Sequence, residues 1–108
     1  MENTQDMLND FFGAANACDV NKFTAFFASD AAVSDEHKTH QGHDKIASWL
    51  RQVTEDYQCQ HTLKSFIEDG HKVVAMAEVR GNFDGSPLLF QYDFTLNDGL
   101  IQQLEIKL

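Results

Sequence analysis

The run Ser29 to His43, SDAAVSDEHKTHQGH, gathers the residue types best suited to chemistry. Ala31 to Asp35 reads as a short apolar strand ending on a carboxylate, with residues small enough to lie close beneath neighbouring helices. An acid brought to the edge of a hollow acts as a general base when its surroundings raise its pKa toward working pH. The same aspartate at a strand end can instead cap a turn or face water. His37, His40 and His43 follow, and a loop histidine can partner Asp35 in acid/base work or bind a polar ligand group. Together with Asp35 and Glu36 they are also ligand types that suit zinc or iron. Histidines spaced by threes in a loop match no closed metal site, so no metal and no cofactor are expected. Farther along, Tyr92 can offer its hydroxyl to a developing oxyanion or a ligand carbonyl, or find an ordinary internal partner. His61, between Cys59 and Leu63, reads first as a satisfied core histidine and second as part of a cavity wall.

The elements that must position these groups follow from periodicity. Leu8, Phe11, Phe12 and Ala15 form one helical stripe, with Asn9, Asp10 and Asn16 on other faces and Asn3 or Thr4 as cap. Asp19 reads as the cap of a second, short helix whose apolar side is Val20, Phe23, Phe26 and Phe27. Cys18 at the junction is expected to be a packed small residue rather than a reactive thiol. After the histidine loop, Gly42 permits a turn, His43 or Asp44 can cap, and Ile46, Trp49, Leu50 and Val53 repeat the stripe. From Tyr57 onward the pattern changes to strands, predicted over Gln58–Ile67, Lys72–Phe83, Leu88–Leu96 and Ile101–Leu108. Asp84-Gly85 and Asn97-Asp98-Gly99 supply turns. In the third of these strands Phe90, Tyr92, Phe94 and Leu96 share one face, and Gln91, Asp93 and Thr95 the other. Successive hairpins imply an antiparallel meander, and helices followed by strands an α+β domain.

Composition limits the partners. The chain has 108 residues, enough for one domain over 1–108 with its own core, and 43% hydrophobic content with nine Phe excludes disorder. A net charge of −9 argues against nucleic acid and anionic membranes. No apolar run approaches the roughly 20 residues of a membrane span. The amino terminus lacks a basic region and apolar run, so no signal peptide is expected. Cys18 and Cys59 match no redox or metal spacing; free thiols in a cytoplasmic setting are expected, with one bridge between them as the alternative.

Three segments, LNDFFGAANACDVNKFTAFFASDAAV, QGHDKIASWL and FQYDFTLNDGLIQQLEI, resemble in order and spacing the SnoaL-like and ketosteroid-isomerase-like members of the nuclear-transport-factor-2-like superfamily. The resemblance spans nearly the whole chain. It implies a cone of curved antiparallel sheet, a cystatin-like α+β roll with three N-terminal helices packed on its concave face. It further implies a mostly apolar pocket for a hydrophobic small molecule and a homodimer through the convex sheet. Phe11, Ala15, Phe27, Val33, Trp49, His61, Phe90 and Phe94 are the residues expected to line that pocket. Counted from the Phe-x-x-Asp-Ala strand entry, Asp35 falls on the position of the isomerase base that moves a proton next to a carbonyl. The isomerase's tyrosine donor is replaced by Phe11. Its protonated aspartate, whose pKa tuning is a standard example, is replaced by Tyr92, with Asp93 as the adjacent alternative; strand alternation favours Tyr92. The catalytic set under this reading is Asp35, Tyr92, His37 and His40. The alternative is a non-catalytic ligand-binding or dimerisation module of the same fold.

Overall fold

The computed structural model describes residues 3–35 and 37–108. Helix α1 (Thr4–Ala17) begins where Asn3 Oδ1 accepts a hydrogen bond from the Asp6 amide at 2.8 Å, satisfying an amide the helix cannot. Leu8, Phe11, Phe12 and Ala15 are all buried, as the stripe requires. The helix stops at Cys18, whose left-handed backbone (φ 50°) lets the Cys18 and Asp19 amides close onto the carbonyls of Ala15 and Ala14. Asp19 then caps α2 (Val20–Ala25) by accepting from the Lys22 amide. This helix is shorter than its apolar pattern predicts. Phe26 ends it, and Phe27 is drawn into the sheet opposite Ile101, opening β1 (Phe27–Asp35) four residues before Ala31.

The histidine loop is partly a strand. β2 (Lys38–Gln41) pairs antiparallel with β1, placing Lys38 opposite Asp35 and His40 opposite Val33. Lys-Thr-His-Gln carries no apolar alternation because this is a short, largely exposed edge strand, so periodicity does not reveal it. His37 sits in the intervening turn with φ 66°. Glu36 lies outside the described residues. Helix α3 (His43–Tyr57) follows Gly42, whose φ of 86° makes the turn. Neither His43 nor Asp44 caps it. The helix has no side-chain cap, and the His43 ring is drawn away to donate from Nε2 to the Phe27 carbonyl at 2.9 Å.

Strands β3 (Gln60–Asp69), β4 (Lys72–Arg80), β5 (Leu88–Asn97) and β6 (Leu100–Lys107) form the predicted meander. Asp98 and Gly99, at φ 53° and 79°, make the two-residue turn whose twist matches its flanking strands. β4 ends at Arg80 rather than Phe83. Gly81 leaves the sheet against the Tyr57 carbonyl, so near that a Cβ would lie 2.7 Å from it. Asp84-Gly85 therefore belongs to a longer connection, not to a two-residue hairpin. The six-stranded sheet runs β2-β1-β6-β5-β4-β3, curved and unclosed, and the β1–β6 junction is parallel. A hairpin cannot make such a pair; the chain returns to β1 only after α3 and four strands. Helix α1 packs over β3, and α3 over β1 and β2, on the concave face. The result is an α+β roll with its apolar core between helices and sheet.

Candidate functional site

Helices and sheet part on one side of the concave face, leaving a hollow of about 880 Å³. Phe11, Phe12, Trp49, Leu50, Val53 and Phe90 give it hydrocarbon walls, while Asp35, Cys59, His61 and Tyr92 bring polar tips. At its margin Tyr57 and Phe83 meet edge to face at 6.2 Å. A smaller space of about 350 Å³ between α2 and α3 is bordered by Asn21, His43, Asp44 and Arg51 and holds none of Asp35, His37, His40, His61 or Tyr92.

Asp35, Ile106 and Tyr92 stand in register across β1, β6 and β5. Adjacent strands lie roughly 4.8 Å apart, so the backbones bearing the acid and the phenol are about 10 Å apart on one face. The half-buried Asp35 accepts a hydrogen bond on Oδ2 from Trp49 Nε1 at 3.2 Å, so α3 fixes where the carboxylate sits. Tyr92 is 5% exposed, and its hydroxyl makes no hydrogen bond among the described residues. No fully buried side-chain oxygen or nitrogen among them lacks a partner, so this hydroxyl reaches the open space of the hollow. Burial, then the negative charge of Asp35, push its pKa far above the ordinary phenol value. Tyr92 therefore stays protonated, which leaves its hydroxyl able to donate a hydrogen bond. Asp93, the adjacent alternative, lies on the opposite face, where Lys107 Nζ approaches it at 2.9 Å. Burial would raise its pKa, but hydrogen bonds from Gln91 and Lys107 outweigh that and hold the carboxyl below the usual range. The Cys59 thiol is pushed up by burial and by Asp35, which disfavours the reactive thiolate.

Of the expected wall residues, Phe11, Ala15, Trp49, His61 and Phe90 border the hollow. Phe27, Val33 and Phe94 do not; they are packed beneath it in the core. Alternation assigns a face but not a depth: Phe27 and Phe94 lie under the phenylalanines of α1 and α2, and Val33 is fully buried on β1. The loop histidines do not converge. His37 is exposed at the rim, His40 borders the hollow with its ring 5.8 Å from that of Trp49, and His43 faces away. Among the described residues no three His, Cys, Asp or Glu side chains gather as a metal would require. Also among them, no helix is long and apolar enough to cross a membrane.

Asn16 falls outside the apolar stripe of α1, yet it grips β3. Its Oδ1 accepts from the His61 amide at 2.7 Å and lies 2.8 Å from His61 Nδ1, and its Nδ2 donates to the His61 carbonyl at 2.9 Å. Its one sequence signal is position: Asn16 follows Phe12 by four residues and so shares its side of the helix. Burial lowers the His61 pKa to about 4, so the imidazole is neutral near pH 7. A carboxylate and a phenolic donor on one apolar wall, with a neutral imidazole nearby, suit proton transfer at a carbon next to a carbonyl.

The SnoaL-like domain family model matches residues 8–104. No curated protein matches the sequence. Among solved structures, a candidate polyketide cyclase from Sinorhizobium meliloti is 35% identical, covers 94% of each chain and superposes with a TM-score of 0.90. A Catenulispora acidiphila protein of ketosteroid isomerase-like fold, solved with trimethylamine, is 17% identical over 98% of this chain and 87% of that one, with a TM-score of 0.86. A computationally designed 17-OHP binder is 13% identical over 93% and 86%, with a TM-score of 0.77. These last two similarities bear on the fold alone.

Proposed function

Because this chain belongs to the SnoaL-like domain family, we propose that it binds a hydrophobic, carbonyl-bearing small molecule in the hollow and moves a proton at the carbon beside that carbonyl. The observation that supports this most is the row Asp35–Ile106–Tyr92, which sets a carboxylate and a protonated phenol on one apolar wall. Asp35 takes the proton, and the C–H electron pair becomes the carbon–carbon double bond of an enolate. The carbonyl oxygen, now anionic, accepts a hydrogen bond from Tyr92. Asp35 can return the proton to a different carbon, which is isomerisation; or the enolate carbon can bond a second carbonyl carbon, whose π pair moves to its oxygen and takes the proton from Asp35, which is cyclisation. The likeness to the Sinorhizobium protein supports the cyclase branch. His37 or His40 at the rim is the alternative polarising donor, and the scheme needs no cofactor. The setting in this reading is cytoplasmic, in keeping with free Cys18 and Cys59. Exposed Ile67 and Leu89 on the convex side support a homodimer there, which a light-scattering mass tests.

A binding role without chemistry is the second reading. Phe11 favours it, because it puts a hydrocarbon ring on the wall where the resemblance implies a hydroxyl donor. Tetralone, a bicyclic ketone, separates the two. In heavy water the protein should speed exchange of its α-hydrogens, followed by proton NMR, and Tyr92→Phe should slow that exchange about a hundredfold. Tetralone bound, as seen by quenching of Trp49 fluorescence, but exchanging only at the solvent rate would leave the binding role alone.

A further inference from the structure

The bonds around Asn16 fix more than a strand. The His61 backbone N–H can only donate, so the Asn16 atom it meets at 2.7 Å must be the oxygen. The His61 carbonyl can only accept, so the atom meeting it at 2.9 Å must be the amide nitrogen. With the amide oriented by backbone on both sides, the 2.8 Å contact from the same oxygen to His61 Nδ1 requires a proton on Nδ1. The neutral ring then carries its lone pair on Nε2. That atom makes no hydrogen bond among the described residues, and no fully buried side-chain nitrogen among them lacks a partner, so Nε2 opens on the hollow. Phe12 stacks on the ring at 5.8 Å and Tyr92 meets it edge-on at 6.3 Å, so the ring is held in place.

We propose that His61 is a specificity-determining hydrogen-bond acceptor, and that the hollow selects ligands carrying a hydroxyl group in addition to their carbonyl. The Asn16 clamp is a positioning device that keeps the imidazole an acceptor. Burial acts in the same direction, since it disfavours the protonated ring that would donate from both nitrogens. A hydroxyl donated to Nε2 satisfies both groups, whereas an ether or a bare ring edge leaves the nitrogen desolvated and unpaired. The proposal rests on the hollow being the ligand site, and it names the substrate class as hydroxylated ketones.

The test uses three probes, a hydroxytetralone, its methyl ether and tetralone itself, titrated against Trp49 fluorescence. The hydroxy compound should bind about tenfold tighter than either other probe. His61→Phe, which keeps a ring on Phe12 and removes the acceptor, should erase that preference. In nitrogen-15 NMR of the wild-type protein, the His61 ring should show its proton on Nδ1. No preference in the wild type, a preference that survives in His61→Phe, or a proton found on Nε2 would each overturn the proposal. The NMR result stands even where the variant fails to fold. None of these readouts involves turnover, so their failure is distinguishable from failure of proton exchange at Asp35.

Discussion

Phe94 and Tyr92 are two residues apart on β5, share one face and are both buried, yet they meet different roofs. Above Phe94 lies Phe11, edge to face at 5.3 Å, which in turn packs on Phe23 and Phe27. Tyr92 meets Phe12 at 5.0 Å, and beyond its hydroxyl lies open space. β5 is one strand across both ends, with a register shift only past Phe94, between Thr95 and Leu96, so the strand itself does not decide where the hollow forms. The aromatic side chains of α1 and α2 do: they fill one end solidly and leave the other to Trp49, whose indole turns to hold Asp35. The polar tips of Asp35, His61 and Tyr92 sit at the open end, where a ligand or water can meet them.

The sharpest way to break this contrast is truncation at the packed end. Phe94→Ala leaves a sealed void and should cost about 4 kcal/mol in denaturant unfolding. The same truncation at Phe90, on the open wall, widens a space that already exists and should cost about 1.5 kcal/mol. Equal losses at the two positions would mean that the ends are packed alike.

Acid should act on the open end next. His61 has a folded pKa of about 4 against 6.5 for the free side chain. Between those values the unfolded chain binds a proton that the folded one refuses, so stability falls as pH drops from 6.5 to 4, by about 3 kcal/mol in all. His61→Phe should flatten that part of the urea-stability profile. An unchanged slope in the variant would place the sensitivity elsewhere. Asp93, on the convex face with its pKa depressed, should add its own loss only at lower pH.

The smallest effect sharpens the contrast most. Tyr92→Phe removes a hydroxyl that has no hydrogen-bond partner among the described residues, so melting should shift by no more than about 0.5 kcal/mol in stability while proton exchange falls. A large destabilisation would reveal a structural bond to that hydroxyl.

Much of this architecture is legible in short segments. The α1 stripe, the Asp19 cap and the Asp98-Gly99 turn each depend on interactions within a few residues, and the structure has all three. Asp35 at the end of a strand and Tyr92 on the inward face are legible for the same reason. β2 is not, since an exposed edge strand imposes no apolar period. Nor is the Asn16–His61 clamp, whose partners are 45 residues apart and meet only once α1 docks on β3. The depth of Phe27, Val33 and Phe94 was equally hidden, because alternation is identical for a core residue and a wall residue on the same face.

The central claim is that Asp35 is a base aimed into an open apolar hollow. Asp35→Asn keeps an oxygen for Trp49 Nε1 but cannot take a proton from carbon. Measured side by side in that variant, Trp49 fluorescence should still report tetralone binding, while α-hydrogen exchange in heavy water should fall on the order of a thousandfold. Exchange that continues at the wild-type rate in Asp35→Asn would contradict the account.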